Sequence, residues 1–451
     1  MISTALLHKY NQPVPRYTSY PTVPYWKENI DAAQWKNNFV KAALDNTDGI
    51  SLYIHLPFCE SLCTYCGCNK KITTNHSVEI EYMQAIVKEW KLYKALMPVK
   101  PVLRELHLGG GTPTFFSPTH LEELLTAILD DCDIHPNHEF SFEGHPNNTT
   151  YDHLQTLFNI GFRRVSFGVQ DHDAKVQHII NRIQPFENVK RGVENARAIG
   201  YTSVNFDLIY GLPLQTLESI EKTILQSIEL KPDRIAFYSY AHVPWTSKAQ
   251  RLFDEHDLPS AELKMQLYLS GKQLFTQAGY SDIGMDHFAL PTDDLFVARQ
   301  EGWLHRNFMG YTTQKTSMLL GLGVSSISDI GIAYAQNRKT LHEYYSDIVA
   351  GELAVTKGYF LSEEDTRFKR YILDISCLGK TTFQEEDEAT LRSFSYPELL
   401  KLSADNLIEW NDEGVTVTAT GKQFIRNICK AFDIHLLKSQ QEPARKFSMA
   451  I

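Results

Sequence analysis

The stretch Ile50-Ser-Leu-Tyr-Ile-His-Leu-Pro-Phe-Cys59-Glu-Ser-Leu-Cys63-Thr-Tyr-Cys66-Gly-Cys68 decides both the fold class and the chemistry expected of this chain. Its first seven residues are mostly β-branched, aromatic and aliphatic, which is typical of a buried strand. A loop rich in cysteine follows that strand directly. From here to about residue 240, short strand-like runs alternate with longer stretches of helical spacing. Such alternation indicates repeated βαβ units.

Six strands are predicted in this part of the chain, at Ile50–Leu56, Leu103–Leu108, Glu139–Glu143, Arg164–Gln170, Ser203–Tyr210 and Arg234–Tyr240. Helix-like stretches connect them, among them Glu81–Leu96 and a helix that begins after the N-cap candidate Ser117. Six successive units with right-handed crossovers predict an α/β fold with a partial (β/α)6 barrel, with an open doubly wound sheet as the alternative.

Unusual residues fall where these strands end. They are Gly109-Gly-Gly-Thr112 after the second strand, Glu143 at the third, Gln170 at the fourth, Asp207 on the fifth and Ala241 after the sixth. Because active sites of such folds lie at the carboxyl ends of the parallel strands, we expect these residues to share one site with the cysteine loop.

Composition and charge limit the class of protein. The chain has 451 residues, a formal net charge of -10 and a sequence pI near 5.9, which argue against a nucleic-acid partner. No run of roughly 18 apolar residues and no export signal are present, so a cytoplasmic protein outside the membrane is expected. Four of the seven cysteines crowd between Cys59 and Cys68, which favours metal or redox chemistry over disulfides.

The spacing Cys59-x3-Cys63-x2-Cys66 suits three corners of an iron-sulfur cubane and leaves the fourth iron open to a small molecule. It differs from the ferredoxin spacing and from the paired spacings of structural zinc, although zinc and chance cysteines remain alternatives. We interpret Cys68 as a neighbour of the cluster and not as a ligand. The isolated Cys132, Cys377 and Cys429 are expected to be buried apolar residues.

Two segments lie outside the barrel. We predict an N-terminal lid over 1–45, a barrel domain with its extension over 46–345 and a mostly helical, winged-helix-like domain over 346–451, ending in a helix from Gly421 to Phe432. Arg16, between Pro15 and Pro21, suits a lid over the substrate. A strap packed on the outside of the barrel is the alternative.

Several motifs together resemble a known family. An aromatic residue, Tyr65, precedes the last cysteine, as in the radical SAM (S-adenosylmethionine) superfamily. The motifs that resemble the oxygen-independent coproporphyrinogen III oxidases within it are Pro15-Arg-Tyr-Thr-Ser-Tyr-Pro21, Tyr53-x-His55-x-Pro57-Phe58-Cys59, Cys66-Gly-Cys-Asn69, Gly109-Gly-Gly-Thr-Pro-Thr114, Gly168-Val-Gln-Asp171, Asp207-Leu-Ile-Tyr-Gly-Leu-Pro213, Gly284-Met-Asp-His-Phe288 and His305-Arg-Asn-Phe308. The resemblance covers nearly the whole chain.

The resemblance implies an anaerobic oxidative decarboxylation. Two propionate side chains of coproporphyrinogen III would become vinyl groups, giving protoporphyrinogen IX, by way of a 5'-deoxyadenosyl radical derived from SAM. It implies one 4Fe-4S cluster, two SAM molecules in one site and a reducing electron donor such as flavodoxin or ferredoxin. A monomer with no membrane partner is expected.

Site residues follow from the same resemblance. Cys59, Cys63 and Cys66 would hold the cluster, and Tyr53, Gly110 and Glu143 would bind the first SAM. The second SAM would be bound by Gly111, Thr112, Gln170, Arg182, Asp207, Ala241 and Ile327, and Cys68 would act in catalysis.

One position departs from the family pattern, because His145 stands where its members commonly carry an acidic residue. This puts in doubt the hydrogen bonding near the first SAM. His55, His287 and His305 are interpreted as structural. Two other functions stay open, a haem chaperone that shares the radical SAM core and a different porphyrin-modifying radical SAM enzyme.

Overall fold

A computed structural model describes residues 4–244 and 247–439. Six parallel strands, here β1 to β6, form the centre of the molecule; they are Ile50–Leu56, Val102–Gly110, Asp133–Gly144, Arg164–Gln170, Ser203–Tyr210 and Arg234–Ser239. The helices that follow them, α1 to α6, are Val78–Leu96, Pro118–Leu129, Tyr151–Ile160, Phe186–Ile199, Leu217–Glu229 and Ala261–Gln277. The predicted α/β class is confirmed, and the bounds of β1, β4 and β5 match the predicted strands.

A seventh parallel strand, Met318–Leu322, pairs with the outer side of β1. In this register Gly321 stands opposite Tyr53, while His107 of β2 stands opposite Tyr53 on the other side. This strand is not among the strands predicted from the sequence, because it comes far along the chain and is only five residues long. It places a distant segment beside the strand that leads into the cysteine loop.

The sheet remains open. Antiparallel strands extend it on the β6 side by His287–Ala289 and Ser281–Gly284, and on the other side by Ile327–Asp329, Ala333–Asn337, Val355–Phe360 and Lys27–Glu28. Within the described residues its two edge strands do not pair with each other. The parallel part is therefore a partial barrel.

Local signals in the sequence set the helix ends. Ser117 caps α2 by accepting a hydrogen bond from His120 N, and Pro118 occupies the first turn. Gly161 and Gly200 end α3 and α4 in the left-handed conformation. These helices pack apolar faces on the sheet, where fully buried Leu106, Phe142 and Phe206 belong to the barrel core.

Other elements surround the barrel. They are the helices Thr4–Tyr10, Ala32–Asp45, Ala174–Ile179, Asp294–Glu301 and Leu341–Val349, and the strand pairs Phe58–Cys59 with Lys71–Ile72 and His305–Asn307 with Gly310–Thr312. No helix in the described ranges is long and apolar enough to cross a membrane.

The C-terminal part has the predicted order of helices and hairpin. Helices Glu363–Leu378 and Tyr396–Ala404 precede the hairpin Ile408–Asn411 with Gly414–Val417, which Lys380–Thr382 joins as a third strand. The single final helix predicted from Gly421 to Phe432 is wrong. A 3-10 turn at Gly421–Phe424, a helix at Ile425–Lys430 and a helix at Ile434–Lys438 replace it, because Asp433 caps a new helix start.

The N-terminal segment contributes to two cores. Val14, Tyr17 and Tyr20 are buried in the same cluster as Phe368 and Phe432 of the C-terminal part. The later helix Ala32–Asp45 instead buries Trp35 and Phe39 in the barrel core. The predicted division into three parts at 45 and 345 stays a prediction, and residues 1–3 and 440–451 of its outer parts lie outside the described residues.

Candidate active site

The cysteine loop folds over the carboxyl ends of the barrel strands. Phe58–Cys59 pairs in parallel with Lys71–Ile72, so the loop between them returns to its starting point. Cys59, Cys63 and Cys66 line one wall of a cavity of about 510 Å³. The loop is also exposed to solvent at Glu60, Ser61 and Gly67. A ligand bound in this cavity would therefore lie between the thiols and the strand ends.

Most of the predicted site residues meet in this cavity, as the position of the strand ends led us to expect. Eleven of them line it: Cys59, Cys63, Cys66, Cys68, Gly110, Gly111, Thr112, Glu143, Gln170, Arg182 and Asp207. The other three, Tyr53, Ala241 and Ile327, are not part of its lining. Residues from six segments spread over 150 positions of the chain thus converge on one volume.

The three residues outside the lining have definite places. The Tyr53 hydroxyl forms a hydrogen bond with His55 Nδ1 at 3.0 Å, and its ring stacks on that of His107. Gln250 Nε2 bridges the carbonyl oxygens of Tyr65 and Ala241 at 3.1 and 3.2 Å, so Ala241 lies beside the cysteine loop. Gly321 pairs with Tyr53 across the sheet, and the backbone of Ile327 packs against Gly321. A Cβ added to Gly321 would lie 2.5 Å from Ile327 O.

Two of the thiols have polar neighbours. Thr112 Oγ1 donates to Cys59 Sγ at 3.4 Å, and Arg182 Nη1 donates to Cys63 Sγ at 3.5 Å. Burial raises the pKa of the Cys59 thiol to about 11, against the opposing effect of the Thr112 hydrogen bond. In the described ranges no three His, Cys, Asp or Glu side chains gather closely enough to hold a single metal ion.

Cys68 lies against Cys66. A hydrogen bond from the Cys68 thiol, together with the charge of Lys70, lowers the pKa of the Cys66 thiol to about 6 although burial opposes this. Lys70 also donates to the Cys66 carbonyl at 2.9 Å. Cys66 and Cys68 both line the cavity.

The glycines of the second strand end permit a close approach of backbones. Gly110 has φ +113°, and a Cβ there would lie 2.6 Å from the His55 ring. A Cβ on Gly111 would lie 2.6 Å from the carbonyl of Pro57. A side chain at position 110 would displace the His55 ring of β1, and one at position 111 would push the start of the cysteine loop away from the strand end.

Glu143 is held by hydrogen bonds and charge at the end of β3. Gly110 N donates to its Oε2 at 3.3 Å, and His107 Nε2 lies 3.7 Å from its Oε1. Burial raises its pKa, but the interactions with His107 and Gly110 outweigh burial and the net direction is downward. An ionised carboxylate at this place can accept hydrogen bonds from an ammonium group.

Asp207 has a different electrostatic environment. Ser166 Oγ and Asn205 Nδ2 each donate to its carboxylate at 3.0 Å. Burial and the negative charge of Glu143 nevertheless raise its pKa to about 6. Because the carboxylates of Asp207 and Glu143 repel each other, ionisation of Asp207 costs free energy in the fold. A ligand that donates a hydrogen bond to Asp207 would reduce this cost.

Arg182 reaches across the cavity with unused hydrogen-bonding capacity. Its Nη2 donates to Gly168 O at 2.6 Å, while its buried Nε has no partner among the described residues. Gln170 beside it has φ +66°, a strained backbone conformation for a residue other than glycine. His145 also lines the cavity, and burial with the Arg182 charge lowers its pKa to about 2, so its imidazole is neutral.

Three residues that hold the carboxylates of the site in place are not predicted from the sequence. His107, Ser166 and Asn205 contact Glu143 or Asp207 directly and point into the barrel. Polar residues that alternate along otherwise apolar strands could have identified them, since residues two apart in a strand lie on the same face of the sheet. Ser203, Asn205 and Asp207 on β5 form one such row.

Comparisons with known proteins agree with this geometry. Residues 53–226 match the model of the radical SAM superfamily. The oxygen-independent coproporphyrinogen III oxidase of Helicobacter pylori (strain ATCC 700392 / 26695) is 42% identical over 95% of both chains. Those of Salmonella typhimurium and Escherichia coli are 40% and 39% identical over 99% of this chain and 98% of each relative.

A solved structure gives the same result in three dimensions. Coproporphyrinogen III oxidase from Escherichia coli, described as a radical SAM enzyme, superposes with a TM-score of 0.90 at 37% identity, covering 96% of this chain and 99% of that one. The similarity thus extends beyond the barrel to both terminal parts. With its cysteine loop, its strand-end cavity and relatives of this identity over nearly their whole length, the chain belongs to the oxygen-independent coproporphyrinogen III oxidases of the radical SAM superfamily.

Proposed function

We propose that this protein decarboxylates two propionate side chains of coproporphyrinogen III oxidatively to vinyl groups, without oxygen, and so produces protoporphyrinogen IX. The observation that carries the proposal is the meeting of three loop thiols with Glu143, Arg182 and Asp207 in one cavity at the strand ends. Each propionate would lose carbon dioxide and one hydrogen atom, which the 5'-deoxyadenosyl radical takes, with the remaining electron passed to an acceptor.

Radical SAM enzymes use a 4Fe-4S cluster and SAM, and the residues present fit both groups. The three thiols that line the cavity would supply ligands to three irons of a cubane, and Arg182, whose Nε has no partner among the described residues, would bind an anionic ligand. When bound, these groups supply one-electron reductive cleavage of SAM to a 5'-deoxyadenosyl radical. The protein binds and orients the reactants and keeps water away.

We assign the first SAM to Glu143, Gly110 and Tyr53. The ionised Glu143 would accept from the SAM ammonium group, and the glycine turn lets the methionyl end come close to the backbone. Ile327 lies on the Tyr53 side of the site, beside Gly321. We therefore propose Ile327 for this first SAM and not for the second.

The second SAM would lie against Gly111, Thr112, Gln170, Arg182, Asp207 and Ala241. The guanidinium of Arg182 can pair with a carboxylate, and Asp207 can accept from ribose hydroxyls. Cys68 lies close enough to Cys66 to act on a reactant bound at the cluster, and we keep it as the catalytic candidate.

We further propose a monomeric, cytoplasmic protein reduced by a flavodoxin or ferredoxin. The exposed loop residues Glu60, Ser61 and Gly67 would give such a donor access to the cluster. The relatives that match this chain are named as oxidases, so the chaperone and the other porphyrin-modifying enzymes are not favoured.

Product analysis tests the proposal. The protein is reconstituted with iron and sulfide in the absence of oxygen, then incubated with coproporphyrinogen III, SAM and a chemical reductant. Mass spectrometry should show two successive losses of carbon dioxide with two hydrogens, and 5'-deoxyadenosine should accumulate. Unchanged substrate beside normal 5'-deoxyadenosine formation would refute the proposed reaction, and a porphyrin with altered ring atoms would favour the rival enzyme class.

A further inference from the structure

A group of cationic side chains lies beside the candidate active site and is not used by the SAM assignments above. Lys264 of α6 packs its side-chain stem over Gly211, just past the end of β5, and donates from Nζ to the carbonyl of Tyr240 at 2.8 Å. Arg16 donates from Nη2 to the carbonyl of Ser239 at 3.3 Å. Both cations therefore sit at the carboxyl ends of β5 and β6, the edge at which the cavity opens.

The Tyr238 ring joins this cationic group to the cavity. Arg16 lies over the Tyr238 ring at 5.8 Å, and Tyr238 itself lines the cavity with Asp207. Asp207 and Glu143 on one side and Arg16 and Asp286 on the other all act electrostatically on the Tyr238 hydroxyl. One aromatic ring thus separates the cationic group from the place proposed for the radical chemistry.

Among the described residues, positive charge exceeds negative charge around Lys264. The charged groups that act on it within the described residues are Arg16, Arg426 and Asp286. Asp286 Oδ2 lies 3.4 Å from Arg16 Nη1, whereas no carboxylate contacts Lys264 in the described part of the chain. Burial, followed by the charges of Arg16 and Arg426, lowers the pKa of Lys264 to about 8. A partly buried ammonium group that no carboxylate contacts is unfavourable for the fold.

Arg426 fixes the chain on which Arg16 is carried. It donates to the carbonyl oxygens of Val14 and Pro15, the two residues before Arg16. Tyr17 after it is buried and donates to Asp433 at 3.1 Å. The backbone of Arg16 is therefore held on both sides, which positions its guanidinium before any ligand arrives.

We propose that Lys264 and Arg16 bind a propionate carboxylate of the tetrapyrrole substrate that does not react, and so orient the reacting propionate toward the SAM cavity. The assignment rests on the proposed function for the identity of the tetrapyrrole. Coproporphyrinogen III carries more propionates than the two that are decarboxylated, so a nonreacting carboxylate is available as an anchor. Pairing with it would supply the missing counter-charge of Lys264.

Binding of a stable tetrapyrrole tests this site separately from turnover. Coproporphyrin III and its uncharged tetramethyl ester are titrated into the reconstituted holoenzyme without oxygen and followed by porphyrin fluorescence. The wild type should prefer the free acid. Lys264→Met and Arg16→Gln should each weaken binding of the acid at least about tenfold and leave SAM affinity unchanged. Lys264→Arg should retain binding of the acid, because it keeps the charge.

Two controls make the outcome clear. Lys272→Met lies on the same helix but removes a cation that is paired with Asp282, 2.7 Å away, and it should bind the acid as the wild type does. The melting temperature of Lys264→Met should equal or exceed that of the wild type, since a partly buried charge that no carboxylate contacts is lost. Loss of binding in that folded variant cannot then be ascribed to unfolding.

Three outcomes would overturn the inference: equal binding of acid and ester by the wild type, wild-type affinity in both Lys264→Met and Arg16→Gln, or equal loss in Lys264→Met and Lys264→Arg. Failure of the proposed function looks different. A protein that binds the acid through Lys264 but forms no vinyl product would retain the carboxylate site and lose the proposed reaction. A protein that decarboxylates the substrate while its variants bind normally would retain the reaction alone.

Discussion

Arg182 Nη1 lies 3.5 Å from Cys63 Sγ, although 119 residues of chain separate the two. The same guanidinium is anchored by Nη2 on the carbonyl of Gly168, at the end of β4. The contact connects the cysteine loop to the far side of the barrel across the cavity. The Nε of Arg182 has no partner in the described residues. Arg182 can therefore donate to a ligand without breaking its hydrogen bonds to Cys63 and Gly168.

Replacing Arg182 should therefore affect SAM binding more than cluster assembly. Arg182→Ala should lower SAM affinity by about ten- to a hundredfold, which corresponds to one or two charge-assisted hydrogen bonds. The iron content and the visible absorption of the reconstituted cluster should be retained. Arg182→Lys keeps the charge but not the fork geometry and should recover only part of the affinity. Normal SAM affinity in Arg182→Ala would remove this residue from the site.

The cysteines should separate into two groups. Cys59→Ala, Cys63→Ala or Cys66→Ala should abolish the iron-sulfur absorption and SAM cleavage, because each would leave only two protein ligands. Cys68→Ala should retain the cluster and lose turnover. Iron and sulfide are measured after identical reconstitution, with Cys132→Ala, a buried cysteine far from the loop, as the control. Complete loss of iron in Cys68→Ala would contradict an open fourth iron.

Asp207→Asn should stabilise the ligand-free protein at pH 7. The pKa of Asp207 is raised to about 6 in the fold against 3.8 for the free group. A raised carboxyl pKa means that ionisation in the folded state costs free energy, and this cost is present above the folded pKa and disappears below 3.8. The gain in free energy of unfolding should be about 1 to 3 kcal/mol at pH 7.

This difference in stability between Asp207→Asn and the wild type should shrink as the pH falls from 6 toward 4. Urea unfolding at a series of pH values measures it, with Asp282→Asn, a carboxylate paired with Lys272, as the control. The same Asp207→Asn variant should bind SAM more weakly. A constant difference across this pH range would show that the carboxylate is not destabilised by burial and by Glu143.

Deletion of residues 1–30 should destabilise the protein. The sequence predicts a lid for this segment, but Val14, Tyr17 and Tyr20 are buried in the core of the C-terminal part. Each large apolar side chain that is fully buried contributes roughly 1.5–3 kcal/mol. Differential scanning calorimetry should show a lower melting temperature for the truncated protein, whereas Arg16→Ala should melt as the wild type does. A truncated protein of unchanged melting temperature would support the interpretation of this segment as a lid alone.

The packing of α5 and the partial barrel follows from patterns that are local in the sequence. Hydrophobic periodicity and capping residues such as Ser117 and Thr216 fix where helices begin, since they satisfy free N–H groups within one turn. The rule that parallel strands end at one edge then brings Glu143, Gln170 and Asp207 together without any knowledge of the tertiary structure.

What the sequence by itself determined was the repeated βαβ order, the cysteine loop and the strand-end residues, because periodicity and spacing act within a few residues of chain. Only the tertiary structure decided that Met318–Leu322 flanks Tyr53, that Tyr17 is buried beside Asp433, and that Lys264 and Arg16 meet at the end of β6. Such contacts join segments hundreds of residues apart. They depend on how whole elements pack against one another, which no local pattern encodes.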